Sequence, residues 1–589
     1  MADTDGLGNG RFDGPAMDAA ALAAQPLVVG VTSHRNLLPA QVAALRLLVR
    51  GFLAGLQREF PELPLRVLSA LAAGGDQLVA EEALALGAQL VAPLPLARAA
   101  YEQDFADPAG RARFEQLCRR ACVLEPAAVD EDVLDGATDD VRTRDWHYVQ
   151  TGIYIASHCH LLLALWDGKA SNLPGGTAQV VDYYFSGRRP APVERRVASR
   201  RNRLDDDNGR LAFHIVCSRN RADGAPAPPL EPLQAFWRSA AERRDGRQPM
   251  PDATRAMFRR IVELNRDRER HAAAIVEAAR HVSRRPVADV VPRSPVERDF
   301  AVADWLALHY QRRVLFAMRA MYTLAALMGI AFVFYDELSQ DYMIFAFLLL
   351  FALGVGLDQV AARRDWHRKY LDYRALAEGL RVQVYWRRAG LSMTDDAEFA
   401  HDNFLQKQDI DIGWIRNVMR SAGLASAMAA APHAIDLDGV IAEWVGESGR
   451  CGQLHYYERR LAERLRRHRL TEGIGRLSLW TGIAISVFLA LFVFTLRHDV
   501  QAVLVSIMAA CSIIAAVREA YAYRKADKEL IKQYRFMRGL FARARAALDR
   551  THEPEVQRDI LRALGEAALA EHAEWTLMHR ERPLERARM

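Results

Sequence analysis

Two patterns of apolar and polar positions divide the chain. Over residues 26–185, short apolar runs alternate with helix-length amphipathic stretches, and residues 230–300 are polar and typical of a helical adaptor. Strands separated by helices predict a mainly parallel sheet with helices on both faces, which is an α/β fold. The predicted strands are Leu27–Val31, Leu65–Leu68, Gln89–Ala92, Leu161–Trp166 and Ala212–Cys217, and the predicted helices are Pro39–Glu59, Asp76–Leu86 and Trp146–Ser157.

The second half of the chain contains four long uncharged apolar runs. Ala320–Tyr335 and Tyr342–Leu357 are joined by "DELSQD", and Leu477–Leu496 and Val500–Val517 are joined by "RHD". Helices of this length extend about 24–30 Å, close to the hydrocarbon thickness of a bilayer. The pattern predicts an all-α membrane region with two transmembrane helical hairpins. Helical hairpins buried in a soluble core are the alternative.

Lysine and arginine residues precede and follow each apolar pair, whereas the two turns within the pairs, "DELSQD" and "RHD", contain only one such residue, Arg497. The positive-inside rule then predicts that both termini and the connector over residues 391–455 are cytoplasmic. The flanking residues are Arg312, Arg313, Arg319, Arg363, Arg364, Arg368 and Lys369 for the first pair, and Arg464, Arg466, Arg467, Arg469, Arg476, Arg518, Arg524, Lys525 and Lys528 for the second.

The two pairs also look like repeats of each other. "HYQRR" (309–313) precedes the first pair and "YYERR" (456–460) precedes the second, while "YRALAEGL" (373–380) and "YRFMRGL" (534–540) follow them. Apolar residues recur at spacings of four and three after each pair, which predicts helical stalks. The stalks could pair with each other, with another subunit or with the adaptor, or they could be ordinary amphipathic helices.

Composition excludes several classes of protein. A hydrophobic content of 51% with 26% charged residues excludes a disordered chain. The net charge of +5 suits lipid headgroups and loop orientation, so we expect no DNA or RNA binding. Six cysteines without a CxxC pair suit a reducing cytosol. The first 25 residues lack the pattern of a signal peptide, and "HCH" (158–160) lacks a further ligand at metal-site spacing, so no metal site is predicted.

Three glycine-containing turns follow predicted strands and would meet at the carboxyl edge of the sheet, where ligands bind. Glycines let a phosphate approach the backbone, helix N-termini attract anions, and hydroxyl and guanidinium groups add donors. The turns therefore predict a nucleotide site, with a purely structural role as the alternative. The candidate ligand-binding residues are Gly30, Thr32, Ser33, His34, Arg35, Gly74, Gly75, Asp76, Asp167, Gly168, Gly175, Gly176 and Thr177.

The motifs "GVTSHRN", "AGGDQ", "ALWDG" and "PGGTAQVV" resemble, in this order, the SLOG superfamily of Rossmann-like nucleotide-binding domains. That superfamily includes phosphoribohydrolases and the sensor domains of TRPM channels. Ser33 stands where the bacterial relatives usually carry a second glycine. The hydrolases carry a glutamate shortly after the PGG turn, whereas the nearest acid here is Asp182. The resemblance therefore implies binding of a nucleotide rather than its hydrolysis, and we assign no catalytic residue and no cofactor.

The membrane half resembles the SLATT domains, two-helix membrane modules of bacterial defence systems, chiefly through "YRALAEGL". This resemblance implies an effector that senses a nucleotide second messenger and opens or disrupts the inner membrane, in an anti-phage setting and as a homo-oligomer in the lipid bilayer. A membrane-anchored phosphoribohydrolase-like enzyme is the main alternative, and a constitutive channel is a third. The predicted organisation is a disordered tail (1–25), a SLOG-like domain (26–220), an adaptor (221–300), a first hairpin with stalk (301–390), a connector (391–455), a second hairpin with stalk (456–550) and a C-terminal helix (551–589).

Overall fold

The computed structural model of the chain describes residues 22–125, 140–187, 210–240, 242–282, 294–337, 340–391, 412–429, 435–524 and 527–580. Four predicted segments lie partly outside the described residues: most of the tail, most of the Arg-rich stretch before the fifth predicted strand, residues 392–411 and 430–434 of the connector, and the end of the C-terminal helix.

An eight-stranded sheet organises the N-terminal part, in the order β4-β3-β2-β1-β5-β6-β7-β8. The first six strands along the chain are parallel, and β7 and β8 join antiparallel at one edge. The strands are β1 (Leu27–Ser33), β2 (Leu65–Leu68), β3 (Gln89–Pro93), β4 (Cys122–Leu124), β5 (Leu161–Trp166), β6 (Leu211–Val216), β7 (Ala235–Arg238) and β8 (Arg243–Asp245). All five predicted strands are present. The segment that contains β7 and β8 differs from the predicted helical adaptor and extends the sheet instead.

Helices cover both faces of this sheet, because alternate strand residues point to opposite sides. Val29 and Val31 of β1 lie in the larger apolar core beneath the first helix, whereas Val28 packs with Ile155 and Tyr184 on the other face. The helices are α1 (Val42–Glu59), α2 (Gly75–Ala85), α3 (Arg98–Tyr101), α4 (Pro108–Arg120), α5 (Asp140–His158), α6 (Thr177–Ser186), α7 (Asp252–Arg270) and α8 (Ala272–Val282). We call described residues 22–282 the head.

The remaining described residues are helical. The helices are α9 (Pro295–Glu337), α10 (Met343–Arg363), α11 (Trp366–Arg388), α12 (Gly413–Met428), α13 (Leu437–Val440), α14 (Gly452–Phe492), α15 (His498–Arg524), α16 (Asp527–Leu548) and α17 (Pro554–Arg580), with a π-helical turn at Ile441–Val445. Helices α9 and α10 pack on each other, as do α14 and α15, and α9 also packs on α15. We call α9–α11 the first unit and α14–α16 the second unit.

The two longest helices, α9 with 43 residues and α14 with 41, each have two unlike halves. In α9, Phe300, Leu306 and Tyr310 are buried, whereas Phe316 is 65% exposed and the apolar side chains that follow it are largely exposed. In α14, Tyr457 is buried, whereas the apolar side chains towards its end are exposed. Each helix therefore leaves the packed core and continues as an apolar rod.

Within the described residues, five helical segments are long and apolar enough to cross a membrane, which indicates a membrane protein. One of them, Pro39–Glu59, contains α1, whose Leu45, Val49 and Leu53 are buried against the sheet. The others contain α9, α10, α14 and α15, and their apolar windows are at most 11% buried. Apolar surface of this extent is rare on soluble proteins, so these four helices are the candidate spans.

The predicted repeat corresponds to equivalent geometry at the base of the two units. Tyr310 of α9 lies against Tyr373 of α11, with ring centroids 5.7 Å apart. Tyr457 of α14 lies against Tyr534 of α16 at 5.8 Å. Helix α11 is buried on most of its surface, since it packs on α9, α12 and α17. The segment predicted as a stalk is thus a central helix of the C-terminal part.

Candidate functional site

The candidate site lies at the carboxyl edge of the sheet, where β1 and β5 are neighbours. After β1 the chain continues to β2 on one side, and after β4 it crosses to β5 on the other. Such a topological switch point opens a crevice in α/β folds. The three predicted turns follow β1, β2 and β5 and meet here. Two candidate residues lie deeper, because Gly30 and Thr32 are paired within β1 and buried.

Gly30 has a packing role within the strand. A Cβ added there would lie 2.8 Å from Cβ of Cys159 and 3.0 Å from a methyl carbon of Ile155. Real Cβ atoms do not approach other atoms so closely, so a larger residue would separate β1 from α5. This glycine therefore shapes the floor of the crevice from beneath.

The first and second turns are fastened to each other. The hydroxyl of Ser33 donates a hydrogen bond of 2.5 Å to Oδ1 of Asp76, and the amide of Gly75 donates one of 3.1 Å to the carbonyl oxygen of His34. Gly74 has φ of +86°, and a Cβ there would lie 2.0 Å from the carbonyl oxygen of Arg35. Glycine is thus required at position 74 by both backbone conformation and space. Ser33 replaces the expected glycine and supplies the hydroxyl that holds Asp76.

Burial dominates the electrostatics of Asp76. It raises the pKa of this carboxyl to about 6, against the hydrogen bonds from Ser33 and the Ala72 amide and the charge of Arg35. A carboxylate removed from water is costly, so the protonated form is favoured until the pH passes this value. The predicted role of Asp76 as an acceptor for ribose hydroxyls competes with its bond to Ser33.

The first turn is also fastened to the end of β5. Nε2 of His34 lies 3.1 Å from Oδ1 of Asp167 and 3.2 Å from its amide nitrogen. The ring is held in either tautomer, because a proton on Nε2 is donated to the carboxylate and a bare Nε2 accepts from the amide. Burial alone would raise the pKa of Asp167. The hydrogen bonds from His34 and the Lys169 amide instead hold it below the ordinary value.

The open part of the crevice is formed by Arg35 and the third turn. Arg35 is exposed, and its guanidinium carbon lies 5.2 Å from the ring centroid of Tyr148 on α5. Gly175 has φ of +65°, and a Cβ there would lie 2.6 Å from Cβ of Tyr148. Helix α6 then begins at Thr177, and its N-cap, Gly176, provides no side-chain hydrogen bond.

Several residues that sequence reasoning did not select complete the site. The hydroxyl of Tyr148 and the guanidinium of Arg144 both donate to the carboxylate of Asp104, and the Gly175 amide donates to Oε1 of Gln179 at 2.7 Å. Tyr148 and Arg144 belong to α5, which is distant in sequence from all three turns. No local motif identifies them, because the topology of the sheet brings them to the crevice.

The arrangement can hold an anion. Arg35 supplies a forked donor, and the first turn of α6 supplies amide donors with a partial positive charge. Gly168, the remaining candidate, has φ of +79° and lies beside Leu230 on the far side of Asp167. Among the described residues no group of three His, Cys, Asp or Glu side chains could hold a metal ion.

A separate groove of about 800 Å³ lies between α1 and the β7–β8 edge. Its walls include Leu47, Gly51, Trp237 and Arg244. It contains none of the candidate residues, so we base the functional argument on the crevice at the switch point, where glycine turns, a helix N-terminus and a cation converge.

Compared with models of known families, with curated proteins and with solved structures, the chain gives no match.

Proposed function

We propose that this protein is a multi-pass membrane effector whose head binds a nucleotide-derived signal and whose apolar helices then open or disrupt the membrane. The observation that carries the proposal is the continuity of α9. This one helix is packed against the head near Phe300 and Tyr310 and continues, without a break in the helix, into exposed apolar residues. A displacement of the head is therefore transmitted directly to a candidate membrane span.

The proposed ligand carries phosphate groups. In the crevice, Ser33, Asp76 and Asp167 are engaged with protein partners, which leaves Arg35 and the α6 N-terminus as the accessible donors. Both favour anionic oxygens. Cyclic ADP-ribose variants, ADP-ribose and cyclic oligonucleotides all present such oxygens. The crevice has no carboxylate in the position that the phosphoribohydrolases use after the PGG turn.

The proposed topology consists of two transmembrane hairpins, α9–α10 and α14–α15, in the bacterial inner membrane. Basic residues at the base of each hairpin favour both termini in the cytoplasm. A ligand moves a closed-to-open equilibrium from about 1% to 99% only with roughly 5.5 kcal/mol of differential affinity. Several sites in a homo-oligomer would share this demand. The role in anti-phage defence rests on the resemblance to SLOG and SLATT modules.

The test uses the full-length protein in liposomes of phosphatidylcholine and phosphatidylglycerol loaded with carboxyfluorescein. We expect dye release on addition of one of the probes ADP-ribose, cyclic ADP-ribose or a cyclic dinucleotide, and thermal stabilisation of the protein by the same probe. Arg35→Ala removes both responses, because it removes the exposed cation of the crevice. Arg58→Ala, which removes a cation on α1 whose side chain bonds only within its own helix, is the matched control and keeps them.

Failure of every phosphorylated probe to stabilise the protein would contradict the assignment of the crevice. Dye release that does not depend on any nucleotide would instead support a constitutive channel.

A membrane-anchored enzyme of the phosphoribohydrolase type is the second candidate. The observation that favours it is the carboxyl of Asp76, which burial brings to a pKa of about 6 beside Ser33 and near Arg35. Such a group can donate and accept a proton near neutral pH. Release of free base or ribose phosphate from nucleoside monophosphates, lost in Asp76→Asn, would support the enzyme over the sensor.

A further inference from the structure

A buried carboxylate connects the head to two helices of the first unit, α9 and α11. Oδ2 of Asp267, on α7, accepts hydrogen bonds from the hydroxyl of Tyr310 at 2.9 Å and of Tyr373 at 2.8 Å. It also lies 2.6 Å from Nζ of Lys369. Tyr310 belongs to α9, and the other two residues belong to α11, so three helices meet at one oxygen atom.

Glu263, one helical turn earlier on α7, extends the contact. Its carboxylate lies 2.8 Å from Arg368 and 3.1 Å from Lys369, both at the start of α11. Burial alone would raise the pKa of Asp267, but the contacts from Lys369 and the two tyrosines hold it below its ordinary value. Asp267 is 1% exposed, so the charge is retained in the interior by these partners.

These contacts lie close to the apolar helices of the first unit. Tyr310 lies about ten residues, or roughly 15 Å, before the apolar run of α9. Lys369 follows the end of α10 by less than two helical turns. Asp267 therefore fastens the helix that enters the first apolar pair to the helix that leaves it. Helix α7 is linked to the rest of the head by an ion pair from Arg255 to Glu59 and a hydrogen bond between Asn265 and Gln25.

We propose that Asp267 is an autoinhibitory latch. Through this residue α7 holds α9 and α11 of the first unit together, and the apolar pair α9–α10 rearranges only when these contacts are broken. This inference rests on the proposed function. A movement of α7 with the head would withdraw one carboxylate from three donors at once. The two tyrosines and the lysine would then be free to separate, and with them α9 and α11.

The test compares full-length variants in carboxyfluorescein-loaded liposomes of phosphatidylcholine and phosphatidylglycerol, without any nucleotide. Asp267→Asn keeps the size of the side chain and removes its charge. We expect release roughly tenfold or more faster than from the wild type, because breaking a buried ion pair shifts an equilibrium by at least that factor. The exchanged pair Asp267→Lys with Lys369→Asp restores the contact and the slow release. Tyr373→Phe, which removes one hydrogen bond and no charge, gives a smaller increase.

The matched control is Asp299→Asn. Asp299 of α9 pairs with Arg268 of α7 at 2.9 Å, so this variant breaks an ion pair between the same two helices without touching α11. We expect its release to equal that of the wild type. Equal leakage from both variants would overturn the latch in favour of general loosening.

Hydrogen exchange supplies a readout that does not depend on permeabilisation. Amides at the start of α11 exchange faster in Asp267→Asn than in the wild type or in Asp299→Asn. If no nucleotide opens the wild type, the proposed function fails while the latch is still judged by leakage and exchange of the variants. If nucleotide opens the wild type but Asp267→Asn releases dye no faster than the wild type in the absence of nucleotide, the latch is overturned. This holds whether or not the variant still responds to nucleotide.

Discussion

The two units have the same layout but are fastened differently. Each begins with a helix of more than 40 residues that is buried at its base and exposed beyond it, and each carries a tyrosine pair between its first and third helices. In the first unit, both tyrosine hydroxyls donate to Asp267 of the head. In the second, the guanidinium of Arg464 lies 5.1 Å from the ring centroid of Tyr534, so a cation of the unit itself lies against the tyrosine pair.

The difference indicates a direction for the signal. The first unit contacts the head through α7, whereas the second unit contacts the first, where Tyr322 of α9 donates to the carbonyl oxygen of Ala520 on α15 at 3.2 Å. Helix α17 also links them, because it packs on α11 and α16, and its His572 lies 3.3 Å from Glu378 of α11. Under the proposed function, this arrangement predicts that the two units work in series, with the head acting on the first.

The largest expected effect comes from truncating the equivalent tyrosines. Tyr373→Ala removes a buried ring and one of three donors to Asp267, and we expect a loss of about 3–5 kcal/mol in stability. Tyr534→Ala removes a ring that is 9% exposed, and no carboxylate among the described residues pairs with its hydroxyl, so we expect about 2–3 kcal/mol. Thermal unfolding of the full-length protein in detergent measures both. Equal losses of stability would show that the two tyrosine pairs are energetically equivalent and that the contact with Asp267 adds nothing to stability.

The predictable parts of the fold are those in which local pattern and environment agree. Strands β2 and β5 have the predicted bounds, because short apolar runs between turn signals have one role in a parallel sheet. Strands β4 and β8 have three residues each, and β8 is Arg-Arg-Asp. Both are edge strands, and short strands are typical of sheet edges, where a charged strand such as β8 needs no core. Three residues are too few for a pattern that distinguishes either strand from a loop.

The local sequence pattern does not reveal which distant residues a side chain contacts. The spacing of apolar residues in α11 predicted a helix with a seam, but its Asp372, Glu378 and Arg381 are buried too, because α12 and α17 supply partners from distant parts of the chain. The crevice shows the same limit. Its turns meet because parallel strands share an edge, whereas Tyr148 reaches it through a helix position that no motif marks.

A pH experiment that compares the wild type with a variant of Asp76 isolates the contribution of this one carboxyl in the head. The pKa of Asp76 is about 6 in the folded protein, whereas an aspartate exposed to water has a pKa of 3.8, so the folded head retains a proton that the unfolded chain releases between these values. Stability therefore falls as the pH rises from about 4 to 6, by up to about 3 kcal/mol. Asp76→Asn removes this contribution, whereas the contribution of Asp304 on α9, whose pKa burial also raises to about 6, is the same in both proteins. We expect the variant to match the wild type near pH 4 and to be the more stable of the two at pH 8.

The measurement is the unfolding midpoint of the full-length protein at each pH, followed by tryptophan fluorescence. Asp223→Asn, at a side chain that is 70% exposed, is the control and shifts the midpoint equally at all pH values. A difference in midpoint between the wild type and Asp76→Asn that stays constant between pH 4 and 6 would contradict the buried, protonated state of Asp76.

The smallest expected effect concerns the contact between the units. Gly329 of α9 faces Ile513 of α15, and a Cβ there would lie 3.0–3.4 Å from three of its side-chain carbons. Gly329→Val therefore overpacks this contact, at a cost of about 1–3 kcal/mol. Gly354→Val in α10 meets no atom within 4 Å and serves as the matched control. If the units work in series, Gly329→Val weakens nucleotide-evoked dye release while the response of α11 amides in hydrogen exchange is retained. Loss of both responses would mean that the second unit acts back on the first. The order from head to first unit to second unit, inferred from the different contacts of the two tyrosine pairs, would then be wrong.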